Sequence, residues 1–287
     1  MKPTLLVLLT CHNRRDSTLD CLRALEVSAR GLSELQIKVV LVDAGSADGT
    51  AEAIRREFPD ARIVPASSDV FWTAGMRMAW AAAQDIPHDL VLWLNDDLSI
   101  EPGALAALYD EYCEHLRHDR RVIVVGRVVD PASGRTICGG HIRRSRLSCF
   151  AWETPQAGGE RCHTFGGNCV LMPEVAFTEV GNLSEAYQHS LGDMDYGLRA
   201  ARANYAIYQS TRVVGFQTEN KQVYSVGSVR LTMSSIRKVL KNPKGLPPKE
   251  LLHFCRSHGS FLWPADFVLR YLRAFNLIPS PFQTHGR

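Results

Sequence analysis

IKVVLVDAGSADGTAEAIRREF, residues 37–58, is the stretch that decides the fold. Its first six residues are mostly apolar and β-branched, as in strands that are buried on both faces of a parallel sheet. A polar turn of seven residues with two glycines follows. Ala51, Ile54 and Phe58 then recur at the spacing of a helix with one buried face. A buried strand that leads directly into an amphipathic helix predicts half of a strand–helix–strand crossover unit.

The same alternation extends in both directions from this unit. Before it, residues 4–9 predict a strand, and the next segment predicts a helix capped by Asp16 or Ser17. After it, apolar runs and helical spacings predict strands at 62–64, 89–94 and 121–129, with helices at 75–84 and from Pro102 onward. Alternating strands and helices require right-handed crossovers and a parallel sheet covered on both faces. The predicted fold class is therefore α/β.

Beyond residue 129 the pattern loosens. Residues 130–165 are rich in Gly, Arg and Cys and predict hairpins and loops over one end of the sheet. The elements predicted after them are a strand within 164–172, a helix at 193–204, a short strand at 206–208 and helical pieces broken by prolines. We therefore predict a main domain over residues 1–229, with halves at about 1–129 and 130–229, and a helical C-terminal extension over residues 230–287.

The composition is that of a globular protein. Of the 287 residues, 45% are hydrophobic and 22% charged, and no uncharged apolar run approaches the length of a membrane-spanning helix. The N-terminal apolar run meets polar and basic residues instead of a small-residue cleavage site, so we expect no signal peptide. Eight cysteines without a CxxC pair predict free thiols, no zinc site and a reducing, cytoplasmic location.

Charge is unevenly distributed, although the net charge is only +3. Residues 230–287 carry ten Lys and Arg against two acids, whereas residues 1–229 are mildly acidic. Aromatic residues of this basic segment include Phe254, Phe261, Trp263, Phe267, Tyr271 and Phe275. Basic and aromatic residues together suit contact with an anionic membrane surface, and solvated lysines on a helical appendage explain the same pattern. We expect no nucleic-acid partner.

Three of the predicted strands end in polar clusters, at residues 10–13 (TCHN), 43–46 (DAGS) and 95–97 (NDD). In open parallel sheets, ligands bind at the carboxyl ends of the strands. The sequence has no GxGxxG after the first strand, no GxxxxGK[ST] loop and no GxSxG turn. Dinucleotide enzymes, P-loop enzymes and hydrolases with a nucleophile elbow are therefore disfavoured. The informative residues are carboxylates.

Two pairs of acids are candidates for chemistry. Asp96 and Asp97 close an apolar strand, where their oxygens suit a hard divalent cation, although a helix cap beside a solvated acid gives the same pair. Asp193 and Asp195 lie at a predicted helix start. One of them suits a general base and the other an acceptor for Arg199, but acids are favoured in a first helical turn in any case.

These clusters, in this order, resemble the family 2 glycosyltransferases of the GT-A fold. Residues 41–50 (LVDAGSADGT) look like the strand-end VDNGSxDGT signature of that family, and residues 10–14 (TCHNR) are similar to its TxxNR. Residues 94–97 (LNDD) fall where the family has its DxD metal motif, and residues 192–200 (GDMDYGLRA) resemble the segment that carries the base. The resemblance covers about residues 4–220 and implies a GT-A-type, Rossmann-like, mostly parallel sheet flanked by helices.

The resemblance implies that a nucleoside-diphosphate sugar, with UDP, dTDP or GDP, binds in the first half of the main domain. Asp43 matches the position that contacts the nucleobase, and Thr10 lies in the loop that contacts base and ribose. The other donor-side residues implied are Asn13, Arg14, Gly45, Trp72, Arg77, Asn95 and Asp96. Asp97 matches the last acid of DxD, which coordinates Mn²⁺ or Mg²⁺ at the diphosphate.

On the acceptor side, the resemblance implies that Asp193 takes the proton of the attacking hydroxyl. Gly167, Asn168 and Asp195 are expected beside it. The implied reaction is a single displacement that inverts the anomeric centre, while a divalent ion and Arg77 stabilise the charge on the departing diphosphate. The tail also looks like that of enzymes of bacterial surface-polysaccharide assembly, which implies a glycan or lipid-linked acceptor and a location on the inner face of the plasma membrane.

Two departures from the family pattern matter. Asn95 occupies the first position of DxD, which leaves Asp97, with help from Asp96, to hold the metal. Residues 213–220 contain no histidine, although the family often has one in that region. Trp72 suits stacking on base or sugar, and anchoring of the helix that follows it is an equal alternative.

Two other functions stay open at this point. A nucleotidyltransferase on a similar sheet usually has a glycine-rich, basic loop after the first strand, and residues 10–16 contain no glycine. A catalytically silent nucleotide-sugar-binding or scaffold protein of the same fold is compatible with the loss of an acid at Asn95.

Overall fold

The computed structural model describes residues 2–30, 32, 34–218, 233–275 and 277. Within them the strands are β1 (Thr4–Cys11), β2 (Gln36–Asp43), β3 (Arg62–Pro65), β4 (Leu90–Leu94), β5 (Ser99–Ile100), β6 (Val122–Val129), β7 (Thr136–Cys138), β8 (Gly140–Arg143), β9 (Trp152–Glu153), β10 (Arg161–Cys162), β11 (Thr164–Phe165), β12 (Cys169–Pro173) and β13 (Ala206–Phe216). The helices are α1 (Arg15–Ala29), α2 (Thr50–Glu57), α3 (Trp72–Ala82), α4 (Ala104–His115), α5 (Glu174–Val180), α6 (Gly192–Arg202), α7 (Met233–Lys241), α8 (Pro248–His258) and α9 (Trp263–Ala274).

Ten of the described strands form one sheet, whose main path runs in the order β10–β13–β6–β12–β4–β1–β2–β3. β1 pairs in parallel with β2 and β4, β2 pairs in parallel with β3, and β13 pairs in parallel with β6. Strands β8, β9 and β11 form a separate small sheet. The predicted α/β class, with a mostly parallel sheet flanked by helices, is confirmed.

Strand β12 departs from the parallel arrangement, because it lies antiparallel between β4 and β6. No helix connects β6 to β12. The short strands β7 to β11 fill this interval and return the chain to the end of the sheet at which β6 finished. A strand that starts at that end must run antiparallel to its neighbours. This direction places Gly167 and Asn168, just before β12, beside the carboxyl ends of the parallel strands.

The two faces of the sheet are covered by different helices. In β1, Leu5, Val7 and Leu9 pack with α1 and α4, whereas Leu6 and Leu8 pack with α3, α5 and α6. This alternation follows from the period of two along a strand. Because both sets are fully buried, the strand is a continuous apolar run in the sequence.

A third apolar cluster joins the C-terminal helices to the main body. Leu251, Phe254 and Cys255 of α8 are buried together with Tyr187 and Leu198. The extension is therefore packed against α6 and the loop before it. The predicted boundary between residues 229 and 230 lies outside the described residues, and the division into domains stays a prediction.

Five of the aromatic residues named above, among the described residues of the extension, pack internally, and their burial gives no support to the membrane contact expected for them. Phe254 and Phe275 are buried, and Trp263, Phe267 and Tyr271 are half-buried around the third cluster. Within the described part of the chain, no helix is both long and apolar enough to cross a bilayer.

Two elements differ from the prediction in residues 174–216. Helix α5 was not predicted, and β13 was predicted as a three-residue strand. The polar residues Gln209 and Ser210 hide β13 in the sequence, yet both side chains are buried. The Gln209 amide donates to the carbonyls of Pro155 and Ala157, which explains how a polar residue occupies the interior of a sheet.

The start of α1 also corrects the prediction, which gave the cap to Asp16 or Ser17. The helix begins at Arg15 with Arg14 in the cap position, two residues before Asp16, and the backbone N–H of Arg15 donates to Asp48 Oδ2 at 3.0 Å. Ser17 Oγ instead donates to the carbonyl of Asp96 at 2.9 Å. The carboxylate that accepts a free N–H at the helix N-terminus thus comes from the loop after β2. Hydrogen bonds therefore join α1 to the loops after β2 and β4 at this edge of the sheet.

Candidate active site

The loops after β1 and β2 are joined through Asn13, at the carboxyl edge of the sheet. Its backbone N–H donates to Ser46 Oγ at 2.9 Å, and its side-chain oxygen accepts the N–H of Ala47 at 2.7 Å. Asn13 has a φ of 50°, in the left-handed region that asparagine tolerates better than most residues. The side chain of this predicted donor-binding residue therefore fixes the shape of two loops.

Asp43, Gly45 and Thr10 lie at the same edge. The Asp43 carboxylate is buried and accepts the N–H of Ser46 at 3.1 Å. Gly45 has a φ of 65°, and a Cβ atom there would lie 2.9 Å from the backbone nitrogen of Ser68, so only glycine suits this turn. Thr10 lies under α3, where its hydroxyl would be 2.4 Å from a Cβ atom at Gly75.

Arg14 connects the loop after β1 to both acids after β4. Its Nη1 lies 3.1 Å from Asp96 Oδ1 and 2.6 Å from Asp97 Oδ2. Asp96 is buried, and burial raises its pKa to about 6 despite the opposing charge of Arg14. Asp97 is the more accessible of the two acids. The structure therefore brings together three residues that the sequence assigned to the donor and its metal.

The metal expectation can be tested on this donor set. Among the described residues, no group of three or more His, Cys, Asp and Glu side chains is arranged to hold a metal ion. Asp97 and Asp96 supply hard oxygen ligands, and Mg²⁺ is commonly held by one or two carboxylates together with substrate phosphates. The guanidinium of Arg14 lies between these two acids and shows that positive charge is stabilised there. The residues fit an ion that is shared with a diphosphate.

A chain of hydrogen bonds connects Trp72 to Asp97. Trp72 Nε1 donates to Asn95 Oδ1 at 2.7 Å, and Asn95 Nδ2 donates to Asn168 Oδ1 at 2.9 Å. Asn168 Nδ2 donates to Gln217 Oε1 at 2.6 Å, and Gln217 Nε2 donates to Asp97 Oδ1 at 2.6 Å. The indole can only donate and the carboxylate can only accept, so the orientation of all three amides follows.

These hydrogen bonds give a physical reason for an asparagine, instead of an aspartate, at position 95. Its amide accepts from Trp72 and donates to Asn168, and an aspartate could not make the second bond. An aspartate would also add a third negative charge beside Asp96 and Asp97. Asn95 therefore connects the loop after β4 to the acceptor-side residue Asn168.

Gln217 was not predicted as a site residue. It follows the last residue of β13, within the segment that contains no histidine, and the longer β13 carries it to Asp97. A strand that ends at the carboxyl edge of the sheet was the signal that could have identified it, but β13 was predicted too short. Glu219 and Asn220 of the same segment lie outside the described residues.

Asp193 lies on the other side of Trp72. Its Oδ2 accepts the N–H of Gly167 at 2.9 Å, and its Oδ1 accepts the N–H of Met194 at 2.8 Å. Burial raises the pKa of Asp193, and the hydrogen bonds from these two N–H groups partly offset that rise. A Cβ atom at Gly167 would lie 2.3 Å from the Trp72 ring, so glycine lets the indole lie against this turn.

Asp195 is buried and does not face the same space as Asp193. Its Oδ2 accepts Arg199 Nε at 2.8 Å, in the i, i+4 geometry expected from the sequence. Its Oδ1 lies 2.7 Å from His258 Nε2 and 3.5 Å from the Tyr187 hydroxyl. Sequence reasoning missed His258, because nothing in the extension indicated that it reaches α6.

Arg77 is not brought together with the carboxylates after β4. Its Nη1 donates to the carbonyls of Ser184 and Tyr187 at 3.3 and 3.5 Å, and its own carbonyl accepts from Asn182. Five residues are about 1.4 helical turns, so Arg77 leaves α3 on a different side from Trp72. The prediction that Arg77 helps to stabilise a diphosphate is not supported by this placement.

The contacts of Trp72 support the anchoring role, and stacking of its ring on base or sugar stays a prediction. Its ring is half-buried and meets Trp93 edge to face, with centroids 6.0 Å apart. Trp93 in turn lies within 5.0–6.2 Å of Tyr196, Phe165 and Phe177. An aromatic core thus supports Trp72, whose exposed part lies between Asp193 and the loop after β4.

Comparison with known proteins gives one family match. The sequence model of the family described as "Glycosyl transferase family 2" matches residues 6–180. The match includes the loops after β1, β2 and β4. It ends before α6, so Asp193, Gln217 and the helices α7 to α9 lie beyond it.

Curated relatives are similar at lower identity. An N-acetylglucosaminyl-diphospho-decaprenol L-rhamnosyltransferase of Mycobacterium tuberculosis is 27% identical over 198 residues, covering 60% of this chain and 64% of the relative. The succinoglycan biosynthesis protein ExoA of Rhizobium meliloti is 27% identical over 190 residues, covering 63% of this chain and 54% of the relative. The chain therefore spans less than two thirds of the length of either relative.

Proposed function

Because the chain belongs to glycosyl transferase family 2, we propose that it transfers a sugar from a nucleoside-diphosphate sugar to a hydroxyl of a glycan or lipid-linked acceptor. We further propose that the reaction inverts the anomeric centre and serves the assembly of bacterial surface polysaccharide. The two relatives support this role, since one is named as an N-acetylglucosaminyl-diphospho-decaprenol L-rhamnosyltransferase and the other as a succinoglycan biosynthesis protein.

One observation carries the proposal: residues 167 and 168 connect the two carboxylates that the reaction needs. The N–H of Gly167 holds Asp193, while the Asn168 side chain belongs to the hydrogen-bond chain that ends on Asp97. The two carboxylates belong to one connected network, and we propose that they border one crevice with Trp72 between them. A displacement requires the leaving group and the attacking hydroxyl on opposite sides of the sugar, and this arrangement supports that geometry.

On the donor side, Asp97, Asp96 and Arg14 are the residues that would meet the diphosphate. When bound at Asp97, a divalent ion supplies positive charge against the departing diphosphate. Arg14 is half exposed and ends on two carboxylates, so a bound anion can draw its guanidinium away from them. Asp43 and Thr10, at the ends of β2 and β1, lie where we propose that the nucleoside binds.

On the acceptor side, Asp193 is proposed as the general base. Its carboxylate is oriented by two backbone N–H groups, which hold it without supplying a side-chain proton. Burial raises its pKa and so makes it a stronger base than an exposed aspartate. The residue accepts the proton of the acceptor hydroxyl as that oxygen attacks the anomeric carbon.

Nucleotide binding tests the donor assignment directly. In thermal unfolding of the full chain with UDP, dTDP, GDP or CMP, with and without Mn²⁺ or Mg²⁺, we expect one nucleotide to stabilise strongly and only with metal. A ligand at 100 times its dissociation constant adds about 2.7 kcal/mol. Asp97→Ala should lose the metal-dependent part of this gain, whereas Asp60→Ala, which removes an exposed acid in the turn before β3, should keep it.

Each rival function corresponds to a different outcome. An unchanged metal-dependent gain in Asp97→Ala would show that Asp97 is not the metal residue. Nucleotide binding without transfer to any acceptor would favour the silent binding or scaffold protein. Consumption of a nucleoside triphosphate with release of pyrophosphate would favour the nucleotidyltransferase.

We also propose that the extension contacts an anionic membrane surface. The two acids of described residues 233–275, Glu250 and Asp266, are each 7% exposed, so their carboxylates contribute little to the surface of this basic segment. Phe261 is 81% exposed and Val268 is 53% exposed. Apolar side chains projecting from a surface with excess positive charge suit the interface of an anionic bilayer.

Vesicle binding tests the membrane contact. We expect the full chain to sediment with vesicles containing phosphatidylglycerol and not with vesicles of phosphatidylcholine alone. Burying a Phe side chain is worth about 1.5–3 kcal/mol, so Phe261→Ser should weaken binding by about tenfold or more. Val27→Ser, which removes an apolar side chain that is 40% exposed on α1, is the matched control. Equal binding of wild type and Phe261→Ser would contradict the proposal.

A further inference from the structure

Helix α8 of the extension lies along the segment that leads into Asp193. Leu251, Phe254 and Cys255 are buried against Tyr187, and the His253 ring meets Tyr187 edge to face with centroids 5.5 Å apart. Near the start of α8, the buried carboxylate of Glu250 faces the backbone N–H of Gln188. Helix α8 thus contacts both the loop before α6 and α6 itself.

At its other end, α8 places His258 against Asp195. The His258 side chain is 0% exposed, and its Nε2 lies 2.7 Å from Asp195 Oδ1. His258 Nδ1 lies 2.9 Å from Arg202 Nη2. A guanidinium can only donate, so Nδ1 must accept and the ring proton must be on Nε2, which donates to Asp195. His258 is therefore neutral in this arrangement, and burial lowers its pKa.

Two arginines of the main body fix the end of α8 from which His258 projects. Arg202 Nη2 donates to the carbonyl of Ser257 at 2.7 Å, and Arg143 Nη2 donates to the carbonyl of His258 at 3.2 Å. The last carbonyls of a helix lack partners within it and carry partial negative charge, so both cations stabilise this end. The position of the imidazole relative to α6 is thereby determined.

Asp195 receives three donors and is almost fully buried. His258 and the Tyr187 hydroxyl reach Oδ1, and Arg199 reaches Oδ2. Burial by itself would raise the pKa of Asp195, but the bond from His258 and the charge of Arg199 lower it. The carboxylate is therefore ionised and held, and it does not point toward the crevice where Asp193 lies.

We propose that His258 is a positioning residue that acts through Asp195 on the first turn of α6, and that α8 is consequently part of the transferase site. Asp193 and Asp195 belong to the same helical turn, so a shift of the Asp195 backbone also moves the Asp193 carboxylate. A misplacement of about 1 Å can lower a rate by about 10²-fold. The inference rests on the proposed function, in which Asp193 is the base.

Two polar substitutions separate this role from packing. In His258→Gln the amide nitrogen reaches the position of Nε2 and can still donate to Asp195, whereas in His258→Asn the shorter side chain reaches only the position of Nδ1, near Arg202. Both variants leave a polar side chain of similar size in the same pocket. We expect His258→Gln to keep kcat within about threefold, and His258→Asn to lower it by about 10- to 100-fold.

The binding constants complete the test. For both variants we expect an unchanged KM for the donor and unchanged nucleotide affinity, since the His258 side chain is bonded to Asp195 and Arg202 of α6. Arg256→Ala, which removes an exposed side chain of α8, should behave as wild type. Equal losses of kcat in the Gln and Asn variants, or a loss of nucleotide affinity in step with a lower melting temperature, would assign His258 to packing alone and overturn the proposal.

Asp193→Asn, assayed in parallel, distinguishes the two proposals. If Asp193→Asn is inactive while His258→Asn turns over as wild type, the positioning role is wrong and the proposed function stands. If Asp193→Asn transfers sugar normally, the base assignment is wrong and the positioning role falls with it.

Discussion

Asp193→Asn is expected to bind nucleotide as wild type and to transfer sugar about 10²–10⁴-fold more slowly, which is the usual contribution of a general base. The N–H groups of Gly167 and Met194 donate to different oxygens of the Asp193 carboxylate, so the amide oxygen of asparagine can accept only one of them. The variant therefore loses one hydrogen bond of the turn together with the ability to take a proton. The change should therefore appear in kcat and leave the donor dissociation constant unchanged.

The matched control is Glu185→Gln, which neutralises an exposed acid in the loop before α6. It should transfer sugar at the wild-type rate. Single-turnover assays with a saturating donor would separate the chemical step from product release. A wild-type rate for Asp193→Asn would exclude this residue as the base.

The pH dependence of the wild-type enzyme follows from the same residue. A base must be deprotonated, and burial raises the pKa of Asp193 above its ordinary value. Activity should therefore fall as the pH is lowered through that raised pKa, at a higher pH than an exposed aspartate would give. A kcat profile that stays flat down to the ordinary pKa range of aspartate would contradict the assignment.

Trp93→Ala is expected to lower the free energy of unfolding by about 3–5 kcal/mol, the usual cost of removing a buried aromatic side chain. Trp93 is 1% exposed and occupies the centre of β4. Its ring lies among Tyr196, Phe165, Phe177 and Trp72. The cavity left by alanine would remove contacts from α5, from α6, from β11 and from Trp72.

Chemical denaturation followed by circular dichroism measures this loss. Trp93→Phe keeps one aromatic ring and should lose clearly less stability, while Trp152→Phe, at a half-buried indole in β9, controls for the loss of an indole elsewhere. Trp93→Ala should also weaken transfer, because Trp72 loses the ring that it meets edge to face. A stability loss below about 1 kcal/mol would mean that the aromatic cluster can close the cavity.

The sheet could be predicted where both of its faces are buried. β1, β2 and β4 are short apolar runs, each followed by a polar cluster. This pattern was enough to predict which strand ends lie together at the edge of the sheet where the candidate site is. β12 could not be oriented from sequence, because its direction depends on the absence of a crossover helix after β6 and not on its own residues. β13 was predicted too short, because its buried polar residues are satisfied by partners from the loop at residues 155–157.

The candidate site residues in the loops that follow the strands could be predicted from the sequence. Those contributed by distant segments of the chain could be predicted less well. Asn95, Asp96 and Asp97 were expected together on the donor side and Asn168 on the acceptor side, and the structure joins Asn168 to Asn95 by a hydrogen bond. Their assignment to donor, metal and acceptor stays a prediction. Arg77 is held by the loop before α6 and is not joined to the carboxylates after β4, so its assignment to the diphosphate stays a prediction without support from its contacts.

Gln217 and His258 come from parts of the chain without a recognisable motif. Gln217 depends on where β13 ends, and His258 depends on the docking of α8 against α6. Both contacts join segments far apart in the sequence, and neither follows from local spacing.

The docking of α8 on α6 also has a consequence for synthesis on the ribosome. The ribosome needs roughly 2–10 s to synthesise the chain from the end of α6 at Arg202 to the start of α8 at Pro248, at the usual translation rates of about 5–20 residues per second. During that time Tyr187 and Leu198 lack the α8 side chains that later cover them. A nascent chain therefore completes the loops after β1, β2 and β4 first and exposes this apolar surface in the meantime. The turn that carries Asp193 is held only when α8 emerges.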